Sequence, residues 1–167
     1  ISTYMYKKYL VNGFFVQPNK SILPSQALHQ VISYDQRIGE HTRLKIEAYW
    51  QNIQRVPVDT LKTGLFSMLN YSSGIPTQIL ENAGQGMNKG IELTLERFFA
   101  DNFYYLLTAS IFDSKYQNKD LIWRNTQFNN MFAGNALIGK DFKLNKQKSL
   151  SLNIRYLMRG GNRYTPI

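Results

Sequence analysis

Asn88-Lys89-Gly90-Ile91-Glu92-Leu93-Thr94-Leu95-Glu96-Arg97-Phe98-Phe99, then Ala100-Asp101-Asn102, then Phe103-Tyr104-Tyr105-Leu106-Leu107-Thr108-Ala109-Ser110-Ile111-Phe112-Asp113-Ser114-Lys115-Tyr116, is the stretch that decides the fold. In its first half Ile91, Leu93 and Leu95 alternate with Glu92, Thr94 and Glu96. After the short polar break, Tyr105, Leu107, Ala109 and Ile111 take one side and Thr108, Ser110 and Ser114 the other. A period of two marks an extended strand whose faces meet different surroundings. Ordinary strands run about five or six residues, and these run about twice that. A strand needs roughly 9–11 tilted residues to cross a bilayer, so length and alternation together predict the wall of a membrane β-barrel.

The pattern recurs along the chain. Leu44, Ile46, Ala48 and Trp50 oppose Arg43, Lys45, Glu47, Tyr49 and Gln51. Leu150, Leu152, Ile154, Tyr156 and Met158 oppose Ser151, Asn153, Arg155 and Arg159, while Phe132, Gly134, Ala136, Ile138 and Phe142 oppose Asn135, Gly139 and Asp141. Leu28 to Ile38 is less regular, with Gln30 and Gln36 interrupting the apolar side. A helix would repeat its apolar residues every three to four positions, and none of these segments does. The polar sides carry both signs of charge, which suits a wet lumen better than a packed core. The fold class is therefore all-β, an antiparallel up-and-down sheet of about six long strands, a fragment of a large transmembrane β-barrel.

Connection lengths support this topology. The joins at Gly39-Glu40-His41, Ala100-Asp101-Asn102 and Asn145-Lys146-Gln147-Lys148 are short and polar, as in hairpins. Those between them are long and rich in Gly and Pro. The reading divides the chain into a loop-like lead-in over 1–26, a first hairpin over 27–58, a long loop over 59–88, a second hairpin over 89–116, a loop over 117–127, a third hairpin over 128–159 and the start of a loop over 160–167. Short and long joins alternate strictly, placing tight turns at one end of an up-and-down sheet and long loops at the other. Outer-membrane barrels have this asymmetry.

At 167 residues with 43% apolar content the chain is one domain's worth, and 11 Tyr with 10 Phe suit strands and interfacial girdles alike. No apolar run reaches the length of a transmembrane helix, so any embedding must be by strands. With no cysteine there is neither a disulfide framework nor a thiolate metal site. The net charge of +9 comes largely from turn and loop lysines such as Lys7, Lys8, Lys20, Lys62, Lys119, Lys143, Lys146 and Lys148. Arg43, Lys45 and Tyr49 share a side with Glu47, which breaks the basic aromatic surface that nucleic-acid binding requires. The opening Ile1-Ser2-Thr3-Tyr4 is neither an initiator methionine nor a secretion signal, and further chain is expected to precede it.

At the quoted stretch the chain resembles the barrel of TonB-dependent outer-membrane receptors of the Bacteroidetes. Trp123-Arg124-Asn125-Thr126 with Phe128-Asn129, and the closing Gly160-Gly161-Asn162-Arg163-Tyr164-Thr165-Pro166-Ile167, are similar to later strands and loops of that family. Pro18-Asn19-Lys20, His29, Tyr34-Asp35, Arg43-Leu44-Lys45-Ile46-Glu47-Ala48-Tyr49 and Val56-Pro57-Val58 are similar to its earlier ones, in order. The resemblance implies a 22-stranded barrel with a plug in its lumen. It also implies active uptake of a scarce ligand (iron chelate, cobalamin, glycan or peptide) across the outer membrane. The implied partners are outer-membrane lipid, the rest of the barrel and its plug, and the TonB energy-coupling complex reached through N-terminal parts. The chain departs from the family in lacking the plug, the coupling motif and the terminal aromatic, so it reads as an internal part of the C-terminal third.

Few residues point to chemistry. Gly84-Gln85-Gly86-Met87-Asn88-Lys89-Gly90 precedes a strand, whereas a dinucleotide loop follows one and opens a helix. His29 and His41 have no metal-pair spacing. Glu92 and Glu96 share a strand face about 13 Å apart, too far for a hydrolytic carboxylate pair. No catalytic residue, metal or cofactor is expected, and the chain does not read as an enzyme. The candidate ligand-facing loop residues are Tyr71, Trp123 and Arg124, since aromatic-plus-Arg is a common recognition pairing. The candidate lumen-facing residues are Lys45, Glu47, Glu92, Glu96 and Arg155. A passive porin-like or structural barrel, and a soluble β-sandwich binding module, are the alternatives from other classes.

Overall fold

The computed structural model describes residues 5, 7–72, 74–145 and 147–163. The expectations placed on Ile1–Tyr4, on Lys146 and on Tyr164–Ile167 lie outside them. Among the described residues nine strands follow one another: β1 (Tyr9–Val11), β2 (Phe14–Val16), β3 (Gln26–Ile38), β4 (Thr42–Asp59), β5 (Leu80–Ala100), β6 (Phe103–Gln117), β7 (Trp123–Asn125), β8 (Phe132–Asn145) and β9 (Lys148–Arg159). The protein is all-β. Six long strands form one antiparallel sheet in the order β3-β4-β5-β6-β8-β9, and the short β7 adds to β6. Neighbours in the sheet are neighbours in sequence, the up-and-down order that the hairpin pattern predicts. The sheet is open among the described residues, with β3 and β9 as its edges.

Register turns the alternation of single strands into two continuous faces. Tyr34, Ile46, Leu93, Ala109, Gly134 and Met158 are successive cross-strand partners. One step along, Gln36, Leu44, Leu95, Leu107, Ala136 and Tyr156 form the next row of the same face. The opposite face is made of rows such as Asp35, Lys45, Thr94, Thr108 and Asn135. A one-residue slip would move every side chain beyond it to the wrong face; the shifts that occur lie near strand ends, between Ile53 and Val58 on β4, Arg97 and Ala100 on β5, and Lys143 and Asn145 on β8.

Most of the sheet is a single layer with neither face covered. Ile111 is 72% exposed, Ile154 57% and Leu93 40%. The buried core sits instead at the end that carries the long connections, around Val56, Val58, Leu80 and Tyr116. There the 3-10 turn Met68–Asn70, capped by Ser67, folds back toward the sheet.

Three expectations need correction. The loop expected over 59–88 is shorter, because β4 extends to Asp59 and β5 already begins at Leu80. Gly84 and Gly86 are not loop glycines: a Cβ on Gly84 would lie 2.4 Å from Val58 Cγ1, and one on Gly86 2.3 Å from Leu69 Cδ1. Glycine inside a strand here permits close approach of other parts of the chain. The lead-in over 1–26 contains the β1–β2 hairpin, turned by Asn12-Gly13, both at positive φ (49° and 81°), the dipeptide that favours a tight hairpin turn. The loop over 117–127 contains β7, whose residues pair with Lys115–Gln117. Of the tight turns, Asp101 (φ 52°) and Asn102 (φ 58°) close β5–β6, a conformation that Asp and Asn tolerate better than most residues.

Candidate functional site

The polar face gathers the charged residues expected in a lumen. Lys45 Nζ lies 2.7 Å from Glu47, two residues along the same strand and so on the same face. Glu47 is the cross-strand partner of Glu92, and Glu96 the partner of Arg43. Arg43 also holds Asp35 on β3, its Nε donating to Asp35 Oδ1 at 2.9 Å. Arg155 stands apart on β9, its Nε donating to Asn135 Oδ1 at 3.4 Å. Lys45, Glu47, Glu92 and Glu96 thus share a patch over β4 and β5, and Arg155 does not join it. Among the described residues no three His, Asp or Glu side chains gather as a metal site.

Above that patch, toward the long connections, side chains form a shallow groove of about 530 Å³ lined by His29, Tyr49, Gln51, Asn88, Glu92 and Phe112. A hydrogen-bond chain runs along its wall. Asn88 Nδ2 donates to Gln51 Oε1 (2.7 Å), Ser114 Oγ to Asn88 Oδ1 (2.6 Å) and Thr126 Oγ1 to Ser114 Oγ (3.0 Å). Tyr49 fits against Gly90, where a Cβ would sit 2.7 Å from its Oη, and His29 meets the Tyr49 ring edge-on at 6.1 Å. Phenol, imidazole, amides and carboxylates here present both donors and acceptors to water or a polar solute. The sequence shows most of these residues as the polar side of strands. It gives no sign that Asn88, Gln51, Ser114 and Thr126 are linked, because register alone brings them together.

The three loop candidates do not converge. β7 pairs Trp123 with Gln117 and Arg124 with Tyr116, so the two neighbours face opposite sides of the sheet. Trp123 lies on the side of Ile111 and Leu107, and Arg124 on the polar side with Tyr116. Arg124 is also engaged: its Nη1 donates to Asp120 Oδ1 (3.0 Å) and to the Ile122 carbonyl (3.1 Å). That guanidinium, followed by the Ile122 backbone N–H, holds the Asp120 carboxyl below the ordinary carboxylate value. The Asp120 bond in turn raises Arg124. Tyr71 packs against Phe66, the ring centroids 5.3 Å apart and the planes tilted by 57°. As placed, Arg124 and Tyr71 shape their own loops.

The long connections themselves are tied down. Asn118 Nδ2 donates to the Gly64 carbonyl (3.0 Å) and Lys119 Nζ to that of Thr60 (2.9 Å). The Gln127 amide donates to Asn70 Oδ1 (2.6 Å), and Asn19 both donates to the Gln78 carbonyl (3.0 Å) and accepts from Leu80 N (2.8 Å). Gly86 shares the polar face with Asn88 and Gly90, and Leu69 rests on it. The first long connection therefore folds over that face.

No helix of the described residues is long and apolar enough to cross a membrane, a statement that does not bear on strands. Comparison of the chain with protein-family models, with curated proteins and with solved structures found no match.

Proposed function

We propose that this sheet is a section of wall in a transmembrane β-barrel of the bacterial outer membrane, within a receptor of the TonB-dependent type that takes up a scarce ligand. The observation that carries the reading is the apolar face. It runs across six strands, interrupted on β3 by Gln30 and Gln36, with nothing laid over it among the described residues, while the reverse face holds ion pairs and amides. In water such a face is a liability far beyond the patch size that soluble monomers tolerate, whereas in hydrocarbon it costs nothing. Its extent fits. On β5 the face is apolar between Lys89 and Arg97, about 27 Å along the strand at about 3.4 Å per residue. A tilt of about 40° brings that to about 20 Å, and the aromatic Tyr105 and Phe103 continue it on β6 toward the tight turns. Outer-membrane barrels carry an apolar band about 25 Å tall with aromatic girdles.

The two unpaired edges support the same reading, since neighbouring strands of a closed barrel would satisfy them. The TonB-dependent type and the uptake activity rest on the ordered sequence resemblance. The groove at His29, Tyr49 and Gln51 then faces the lumen and is the place where a polar solute would meet the wall.

The test is cell fractionation followed by uptake. The protein is expected in the outer-membrane fraction, resistant to alkaline carbonate, with uptake that stops when the proton-motive force is dissipated. Recovery as a soluble monomer would overturn the barrel reading. Uptake that persists without the proton-motive force would leave a passive pore instead.

A further inference from the structure

On the apolar face, just where the apolar band ends below the long connections, lies a groove of about 720 Å³. Its floor is hydrocarbon: Ile91, Leu93, Ala109 and Ile111, with Met131 at the side. Its rim is polar and basic, with Lys89, Asp113, Asn129 and Arg163. Asp113 is neutralised from its own strand by Lys115 (3.0 Å) and bonded by Asn129 Nδ2 (2.9 Å). Lys89, the cross-strand partner of Asp113, and Arg163 are two further cations, neither in a salt bridge among the described residues. Arg163 is positioned rather than trailing: its backbone N–H donates to the Gln127 carbonyl (3.3 Å) and its Nε to that of Asn129 (3.3 Å). Asn129 is buried, its Nδ2 donating to Asp113 Oδ1 and to Asn125 Oδ1 (2.9 Å each).

A hydrocarbon floor beneath two cations is complementary to an amphiphile with an anionic head. We infer that this groove is a binding site for a phosphate-bearing lipid, its acyl chains lying along Ile91, Leu93 and Ile111 and its phosphate between Lys89 and Arg163. Guanidinium and ammonium are the usual phosphate partners. The inference rests on the membrane reading above, because it needs this face turned to lipid.

Trp50, the cross-strand partner of Lys89 on the same face, is a native reporter at the rim. The chain has 2 Trp, so Trp123→Phe leaves Trp50 alone. The whole chain carrying that change is reconstituted in phosphatidylcholine vesicles containing a minority of lipid with brominated acyl chains, either phosphatidylglycerol or phosphatidylcholine. Brominated phosphatidylglycerol is expected to quench Trp50 at about tenfold lower mole fraction than brominated phosphatidylcholine, from two cations near the headgroup. Lys89→Gln with Arg163→Gln removes the preference and keeps the quenching, whereas Lys143→Gln with Lys148→Gln at the opposite end keeps both. Equal quenching by the two lipids in the parent, or loss of preference in the Lys143/Lys148 pair as well, overturns the site while leaving the membrane reading intact. Absence of quenching by either lipid at any fraction overturns both.

Discussion

At Gly84 the only side-chain atom the fold allows is a hydrogen, since Val58 Cγ1 and the Val56 carbonyl occupy the place of a Cβ at 2.4 and 3.0 Å. Gly84→Val is therefore expected to destabilise the protein by about 1–3 kcal/mol through overpacking, read as a lower urea midpoint in detergent. Gly161→Ala, with nothing within 4 Å of the added carbon, is expected to stay within about 0.5 kcal/mol of the parent. The Asp120–Arg124 pair makes a prediction in pH. Its carboxyl is held below the ordinary value in the folded state, so its contribution is fully present above the unfolded carboxylate pKa of about 3.9. It fades as pH falls through the lower folded value. The gap in unfolding midpoint between parent and Asp120→Asn should accordingly be flat from neutral pH down to about 5 and close below about 3.9. A gap that closes near pH 6 would show that some other group is titrating.

At the scale of the strand, alternation is what gives each residue its surroundings, and it can be tested by moving one position. Leu93 lies mid-row on the apolar face and Thr94 on the polar face among Lys45, Glu47 and Glu92. Leu93→Arg is expected to cost about 2–4 kcal/mol in a bilayer, and Thr94→Arg close to nothing; equal costs in a folding titration into vesicles would contradict the assignment of faces. The hairpin joining β5 and β6 offers a second test. Asn102 holds φ 58°, and Asn102→Ile should cost about 1–2 kcal/mol, visible as a loss of folding midpoint without loss of register. Long strands, their order and their two faces were legible in the sequence because alternation is a local property of consecutive residues. Gly84 and Gly86 look like loop glycines in sequence because the side chains that require them, Val58 and Leu69, lie far away in the chain. Trp123 and Arg124 look like a pair in sequence. A three-residue strand is too short to show its period, and only the pairing with Gln117 and Tyr116 separates them. The groove around His29 and Tyr49 was half legible, as polar positions without their partners.

Taken whole, the described residues form a sheet with two long open edges and one uncovered apolar side, held at one end by a small core. Alone in water it should self-associate, through edge pairing and through the apolar face. Sedimentation velocity is expected to show large species without detergent and dispersed protein with it, and a detergent-free monomer would contradict the open-sheet arrangement. The ties among Asn118, Gly64, Lys119, Thr60, Gln127 and Asn70 have a consequence for how such a protein diversifies. They make the two long connections a stiff collar instead of separate flaps. Grafting a foreign segment into either one would strip its neighbour of bonding partners. New recognition at this rim has to arise by paired replacement, or by changing outward tips such as Leu61 and Leu121 while the stapled bases are kept.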